Sequence, residues 1–181
     1  MRKKITVFAG FILMTVGFSM VNFSCRAKKY DLESISVSLW RATGLRADGS
    51  FIYDPVYNPN GITAITFDSL AISVSGNYTN SNSLSWEPLR RSKHEKVIDI
   101  IITSNKNYNA KYPAGSNLKG IMSANGKTID AMLKYYSNVP PDPFYTFNTP
   151  PETEEVHDIT FIYRTKKQKF IDVIKNVKIL K

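Results

Sequence analysis

The chain has 181 residues, a formal net charge of +9 and a single cysteine, Cys25. One cysteine excludes an internal disulfide, and this length predicts one domain with an adequate core of its own. Because six of the 24 Lys and Arg residues lie among the first 29 positions, the basic charge is concentrated at one end and does not indicate a nucleic-acid partner.

The amino-terminal segment has the layout of an export signal. Three cations at positions 2–4 precede an apolar stretch, Ile5–Phe23, which is followed by the small residue Ser24 and by Cys25. Secretion signals combine a basic region, an apolar region and a small-residue cleavage site in this order. We therefore expect the protein to be exported.

The residues around Cys25 resemble the signal of bacterial lipoproteins. In that family the lipobox ends in small residues and a cysteine; here Ser24 and Cys25 match, and Val21 supplies an aliphatic residue one place early. The resemblance implies that Cys25 carries the lipid and leaves no free thiol. Several acyl chains would hold the protein firmly on a membrane, since each buried methylene contributes about 0.8 kcal/mol.

Two alternatives remain open for this segment. The first is an uncleaved anchor, because Ile5–Phe23 approaches the about 20 residues that a membrane span needs. Polar residues within it, among them Thr6, Thr15 and Ser19, weigh against an anchor. The second alternative is a soluble secreted protein in which Cys25 has no special role.

Alternation of apolar and polar residues predicts several strands beyond this segment. Ile35, Val37 and Leu39 alternate with serines, and Ile62 to Ser75 holds a second alternating region. The run from Val97 to Thr103 is apolar on both faces, which predicts a central strand.

The carboxyl-terminal third predicts one helix and a β-hairpin. The helix covers about Thr128 to Tyr136, where apolar residues share a face. Ile159 to Tyr163 alternates, and Lys169–Leu180 follows after the short basic connection 166–168. Lys169–Leu180 also satisfies helical spacing, but its many β-branched residues and the short turn before it favour an antiparallel strand.

These elements and the turn-rich connections between them predict a mainly β fold with one short helix. We expect an antiparallel β-sandwich, immunoglobulin-like or transthyretin-like. The predicted organisation is a signal peptide over 1–24, a tether over 25–33 and a single β-sandwich domain over 34–181. The predicted core consists of Val37, Leu39, Ile65, Phe67, Ile72, Val74, Ile98, Ile100, Ile102, Ile159, Phe161, Ile171 and Val173.

The segment 138–151 is the best candidate for a ligand-binding surface. Its prolines stiffen it, and Phe144, Tyr145 and Phe147 supply aromatic area that binds at low entropic cost. The more conservative interpretation, which we favour, is a flap whose rings pack over a sheet edge or the end of the core.

Scattered aromatic residues suggest a second candidate, a platform for stacking on sugar rings. Tyrosine is also an ordinary strand residue, so composition alone favours a structural role. The residues concerned are Trp40, Tyr53, Tyr57, Tyr78, Trp86, Tyr108 and Tyr112.

An acidic segment surrounds His157. Its carboxylates, from Glu152, Glu154, Glu155 and Asp158, are groups that hold a hard cation or supply an acid and a base. Their spacing matches no metal motif, and a solvated entry to the strand is the default interpretation. We therefore predict neither a metal nor a cofactor, and a hydrolase built on Glu155, His157 and Asp158 is the least favoured function.

As a whole, the chain resembles the small lipoproteins of unknown function that are common in Bacteroidetes. The resemblance rests on Cys25, the short chain after it and the turns rich in asparagine and tyrosine. It implies attachment to the outer membrane, on the periplasmic side or at the cell surface. Arg26 to Lys29 stand where that group often carries an acidic surface-export tag, which favours the periplasmic side.

These observations lead to one functional expectation and one alternative. We expect a non-catalytic module of the cell envelope, held on the membrane through lipidated Cys25, that binds an envelope protein or a glycan. The alternative is a structural subunit of a surface filament or adhesin.

Overall fold

Strands make up most of the residues that the computed structural model describes, which are 29–30, 32–57, 61–78, 90–91, 97–135 and 143–181. The chain divides into two units, Met1–Lys29 with Ser83–Arg90 and Tyr30–Asn82 with Arg91–Lys181. Both large sheets belong to the second unit. The predicted mainly β fold is confirmed.

Twelve strands are described. In chain order they are β1 Lys29–Tyr30, β2 Leu32–Leu45, β3 Phe51–Pro55, β4 Thr63–Thr66, β5 Leu70–Tyr78, β6 Arg90–Arg91, β7 Val97–Ser104, β8 Met122–Ala124, β9 Lys127–Thr128, β10 Phe144–Phe147, β11 Val156–Thr165 and β12 Lys169–Leu180. A 3₁₀ turn, Leu118–Ile121, and one α-helix, α1 Ile129–Tyr135, complete the described elements.

Two sheets form the sandwich. The first has six strands in the order β3-β2-β5-β10-β8-β9, and the second has four in the order β4-β12-β11-β7. Their pairings are antiparallel except that of β12 with β4, which is parallel. Buried residues of both sheets form one core. The predicted antiparallel sandwich is therefore confirmed, with one parallel pairing at an edge.

The inner face of the six-stranded sheet follows the predicted alternation. In β2, Ile35 and Leu39 are buried, Val37 packs against the core, and the serines between them are exposed. The alternating region from Ile62 to Ser75 is not one strand, however. A turn at 67–69 divides it, and the two halves, β4 and β5, join different sheets.

Strand β7 lies at a sheet edge, so the predicted central strand is wrong. It pairs with β11 on one side, and near its other edge the Asn117 Oδ1 atom accepts a hydrogen bond from the Ile102 N–H (3.3 Å). Ile100 and Ile102 are buried, whereas Ile98 is 46% exposed and does not belong to the core. Because the run is apolar on both faces, the sequence does not indicate which face of β7 packs against the core.

The predicted carboxyl-terminal hairpin is confirmed, because β11 pairs antiparallel with β12. Its inner face differs from the prediction, since Ile171 and Val173 are 59% and 37% exposed and Phe170 is buried instead. A bulge around Asn176, whose φ is 59°, adds one residue to β12, and Val177 beyond it faces inward. The bulge reverses the phase of the alternation.

Helix α1 confirms the predicted helix. Ile129 and Met132 are buried, and the Thr128 Oγ1 atom accepts a hydrogen bond from the Ala131 N–H (3.2 Å) at its amino-terminal end. Tyr136, which was expected on the same face, lies outside the described residues. No helix in the described ranges is long and apolar enough to cross a bilayer.

Candidate functional site

Strand β10 occupies part of the predicted loop 138–151, between β5 and β8 in the six-stranded sheet. Successive strand residues point to opposite faces, so Phe144 faces outward while Tyr145 and Phe147 are buried. The Tyr145 hydroxyl lies 2.5 Å from that of Tyr163, and Phe147 stacks on Tyr108 at 4.9 Å between ring centroids. Of the three predicted contact residues, only Phe144 contributes to the surface.

Phe144 belongs to a group of four rings on the outer face of the six-stranded sheet. Its ring stacks on Tyr53 with 4.1 Å between centroids, and Trp40 meets it edge-on at 5.5 Å. Phe51 lies 5.9 Å from Tyr53 and is 52% exposed. Trp40, Phe51, Tyr53 and Phe144 are called the aromatic cluster below.

Strand register brings the cluster together. Trp40 in β2 lies opposite Ala71 in β5, and Tyr53 in β3 lies opposite Ala42 in β2. These alanines are small, so the large rings of β2, β3 and β10 can reach one another above them. The Trp40 Nε1–H donates to the Ser38 Oγ atom (2.9 Å), which fixes the indole ring.

A groove of about 580 Å³ borders the aromatic cluster. Three elements form its walls: the β2–β3 hairpin, the turn between β8 and β9, and β10. The lining residues are Arg46, Ser50, Phe51 and Tyr53 from the hairpin, Asn125 and Gly126 from the turn, and Phe144 and Thr146 from β10.

The turn between β8 and β9 holds Phe144 in place. Asn125 and Gly126 have φ values of 48° and 73°, as a two-residue type I′ turn requires. The Asn125 N–H donates to the Phe144 carbonyl oxygen (3.0 Å), and the Asn125 Oδ1 atom accepts from the Phe144 N–H (3.0 Å). This hairpin is not among the predicted elements, although an Asn-Gly pair is the strongest short-range signal for one.

The groove combines aromatic surface, hydroxyl groups and one cation. Among the described residues that line it, Arg46 alone carries a formal charge. Burial raises the pKa of the Tyr53 phenol above its ordinary value, so this ring is neutral at physiological pH. Thr146 shares a hydrogen bond with Ser123 (2.9 Å between the hydroxyl oxygens), which anchors the polar side of β10.

The other aromatic residues of the predicted platform do not join the cluster. Tyr108 is buried in the core, Tyr112 packs against it, and Tyr57 is 90% exposed outside the groove. Trp86 and the Tyr78 side chain lie outside the described part of the chain, as do Cys25, Pro140 and Pro141.

The acidic segment does not form a common site. The Asp158 carboxylate accepts hydrogen bonds from the Asn105 side chain (3.1 Å) and the Asn176 N–H (3.0 Å), while that of Glu155 accepts one from Thr153 (3.1 Å). Each carboxylate thus has separate partners. The proposed Glu155, His157 and Asp158 arrangement gains no support from this geometry.

His157 points away from these carboxylates, into the core. It is fully buried, and its Nδ1 atom lies 2.8 Å from the Ser104 Oγ atom. Its Nε2 atom has no hydrogen-bond partner among the described residues. Burial lowers the pKa of His157; the charge of Glu155 opposes this shift and that of Lys106 adds to it.

The described residues contain no group of three His, Cys, Asp or Glu side chains that could hold a metal ion. The asparagines of the loop after β7 are occupied by the backbone instead. The Asn107 Oδ1 atom accepts from the Ala114 N–H (2.8 Å), and the Asn109 Oδ1 atom accepts from the Tyr112 N–H (3.0 Å). These hydrogen bonds stabilise the conformation of the loop.

Comparison with known proteins gives no match to a family model, to a curated protein or to a solved structure. The chemistry of the site therefore rests on its residues alone.

Proposed function

We propose that this protein is a non-catalytic, lipid-anchored module of the cell envelope that binds a glycan in the groove beside the aromatic cluster. The observation that carries the proposal is the exposed edge of that cluster on the groove wall, where Phe51, Tyr53 and Phe144 meet. The apolar faces of sugar rings pack on aromatic faces, and their hydroxyls take hydrogen bonds from the surrounding polar groups.

The groove supplies both kinds of contact. Ser50, Asn125 and Thr146 place hydroxyl and amide groups around the rings. Mutual stacking and the paired hydrogen bonds between Asn125 and Phe144 hold the rings before a ligand arrives. A prearranged aromatic surface loses little conformational entropy on binding, which suits a ligand that makes few contacts.

The membrane anchor of the proposal rests on the sequence around Cys25. Lipid on this residue would place the sandwich at the envelope, on the outer membrane, where glycans are abundant. Radiolabelled palmitate is expected to enter the wild-type protein and not the Cys25→Ser variant. Equal labelling of the two, or none in the wild type, would remove the anchor from the proposal.

Glycan binding is tested with the full chain, purified in detergent and applied to an array of envelope and host glycans. For a glycan that is retained, Tyr53→Ala is expected to weaken binding by about tenfold or more, as for a central aromatic contact. Tyr57→Ala is the matched control, because Tyr57 is exposed but lies outside the groove. Retention of no glycan, or equal losses in the two variants, would overturn the proposal.

A further inference from the structure

We infer that the groove selects a glycan that carries an anionic group, a carboxylate or a sulfate, through the guanidinium of Arg46. This inference rests on the proposed glycan-binding function and adds the chemical class of the sugar. Arg46 lies on the groove wall together with Phe51 and Tyr53, so one saccharide can contact the rings and the cation at once.

The backbone of Arg46 is held at the tip of the β2–β3 hairpin. Its N–H donates to the Ser50 carbonyl oxygen (2.7 Å), and its own carbonyl oxygen accepts from the Gly49 N–H (2.9 Å). Gly49 has a φ of 79°, a conformation that glycine adopts without strain. The turn therefore fixes the position of the Arg46 Cα atom beside the groove.

The charge of Arg46 is not neutralised by the described part of the chain. No described carboxylate forms an ion pair with its guanidinium. The nearest acid in sequence, Asp48, accepts hydrogen bonds from the N–H (2.9 Å) and the hydroxyl (2.7 Å) of Ser50. These bonds lower the pKa of Asp48 and hold its carboxylate on Ser50.

Asp54, the acidic residue of β3, points away from the groove. Asp54 follows Tyr53 in β3, so its side chain lies on the opposite face, where its cross-strand partner is Arg41. No described carboxylate is among the lining residues, although that of Asp48 lies beside Ser50, and an anion in the groove contacts the charge of Arg46 directly. The planar guanidinium fork matches the two oxygens of a carboxylate or a sulfate, which makes this pairing directional.

The test compares an oligogalacturonate with its methyl ester, two sugars that differ only at the carboxyl group, which is ionised in the acid and methylated and neutral in the ester. A sulfated and a neutral oligosaccharide are added. Binding to the detergent-purified full chain is measured at two salt concentrations. We expect the acid to bind about tenfold more tightly than the ester at low salt, as a charge-assisted contact provides, and the difference to shrink at high salt.

Arg46→Gln is expected to abolish the preference for the anionic sugar by weakening binding of the acid more than that of the ester, while Arg46→Lys retains part of the preference. Arg41→Gln is the matched control, since it removes the same charge from the opposite face of the hairpin. If acid and ester bind equally and Arg46→Gln changes neither, the inference is overturned while the proposed function stands.

Two further results would also overturn the inference. If only uncharged oligosaccharides bind, and Tyr53→Ala abolishes their binding, the groove binds sugars but the anionic class is wrong. If a single-stranded oligonucleotide competes better than every sugar, or if no sugar binds, both the inference and the proposed function are overturned.

Discussion

Asn125 and Phe144 are joined by two hydrogen bonds that use both the backbone and the side chain of the asparagine. The Asn125 N–H donates to the Phe144 carbonyl oxygen, and the Asn125 side-chain oxygen accepts from the Phe144 N–H. The donor–acceptor distance is 3.0 Å in both bonds. Because the same asparagine lines the groove and shapes the type I′ turn, one residue controls the turn and the position of the ring.

Replacing Asn125 is expected to separate these two roles. Asn125→Gly keeps the positive φ of the turn but removes the side-chain acceptor, and we expect it to lower the free energy of unfolding by about 1 kcal/mol. Asn125→Ala removes the acceptor as well, and alanine lacks the local side-chain hydrogen bond that lets asparagine occupy the left-handed region, so we expect it to cost roughly 1–2 kcal/mol more than the glycine variant. Urea denaturation followed by circular dichroism measures both. Equal stability of the two variants would show that the turn conformation is not strained.

A second predicted effect concerns the edge of β2. The Val37 N–H donates to the Asp172 Oδ2 atom (2.7 Å). This part of β2 pairs with β5 along its opposite edge. An unpaired strand edge is a template for association with another chain, and a carboxylate at the edge makes such pairing less favourable. We expect Asp172→Val to form dimers or larger species as protein concentration rises, visible by size-exclusion chromatography.

The matched control for this edge is Asp172→Asn, which keeps an oxygen that can accept the Val37 N–H. It is expected to remain in the same state as the wild type. Self-association of Asp172→Asn to the same degree would mean that charge, rather than the hydrogen bond, protects the edge. Heat-resistant ladders already present in the wild type would instead favour the alternative of a filament subunit.

The alternation of β2, β5 and β11 could be predicted because each of these strands has one buried and one polar face. Phe144 lies on the surface, as the sequence predicts, but the prolines before it indicate a loop and conceal the alternation that buries Tyr145 and Phe147. The contact between Tyr53 and Phe144 depends on how the β2–β3 hairpin lies over the sheet. The alternation of apolar and polar residues does not indicate how that hairpin is placed.

The bulge in β12 shows the same limit and leads to a third prediction. Asn176 has a φ of 59°, and its N–H donates to the Asp158 Oδ1 atom over 3.0 Å. Asn176→Gly is expected to be nearly neutral, because glycine adopts positive φ freely. Asn176→Val is expected to lose about 1–2 kcal/mol in urea unfolding, since a β-branched residue is disfavoured there. Equal effects of the two substitutions would contradict a role for the backbone conformation.

The last prediction concerns acid and the buried ring of His157. Burial lowers the pKa of this residue in the folded protein, whereas the unfolded chain titrates near the ordinary value of 6.5. As pH falls below about 6.5, the unfolded state therefore takes up a proton that the native state does not, and stability decreases by at most about 1.4 kcal/mol per pH unit from this group. The decrease ends where the native ring is itself protonated. Urea unfolding across this window measures the slope.

His157→Asn supplies the comparison, because its side chain can keep the hydrogen bond that the Nδ1 atom shares with Ser104 but has no proton to gain. The variant is expected to be less stable at neutral pH, since it leaves space around a fully buried position, yet to show a shallower loss of stability on acidification. Carboxylates that do not interact with the ring contribute equally to both proteins, so the difference between the two curves reports the ring together with its interaction with Glu155. Parallel curves would mean that the ring takes up its proton as readily in the folded protein as in the unfolded chain.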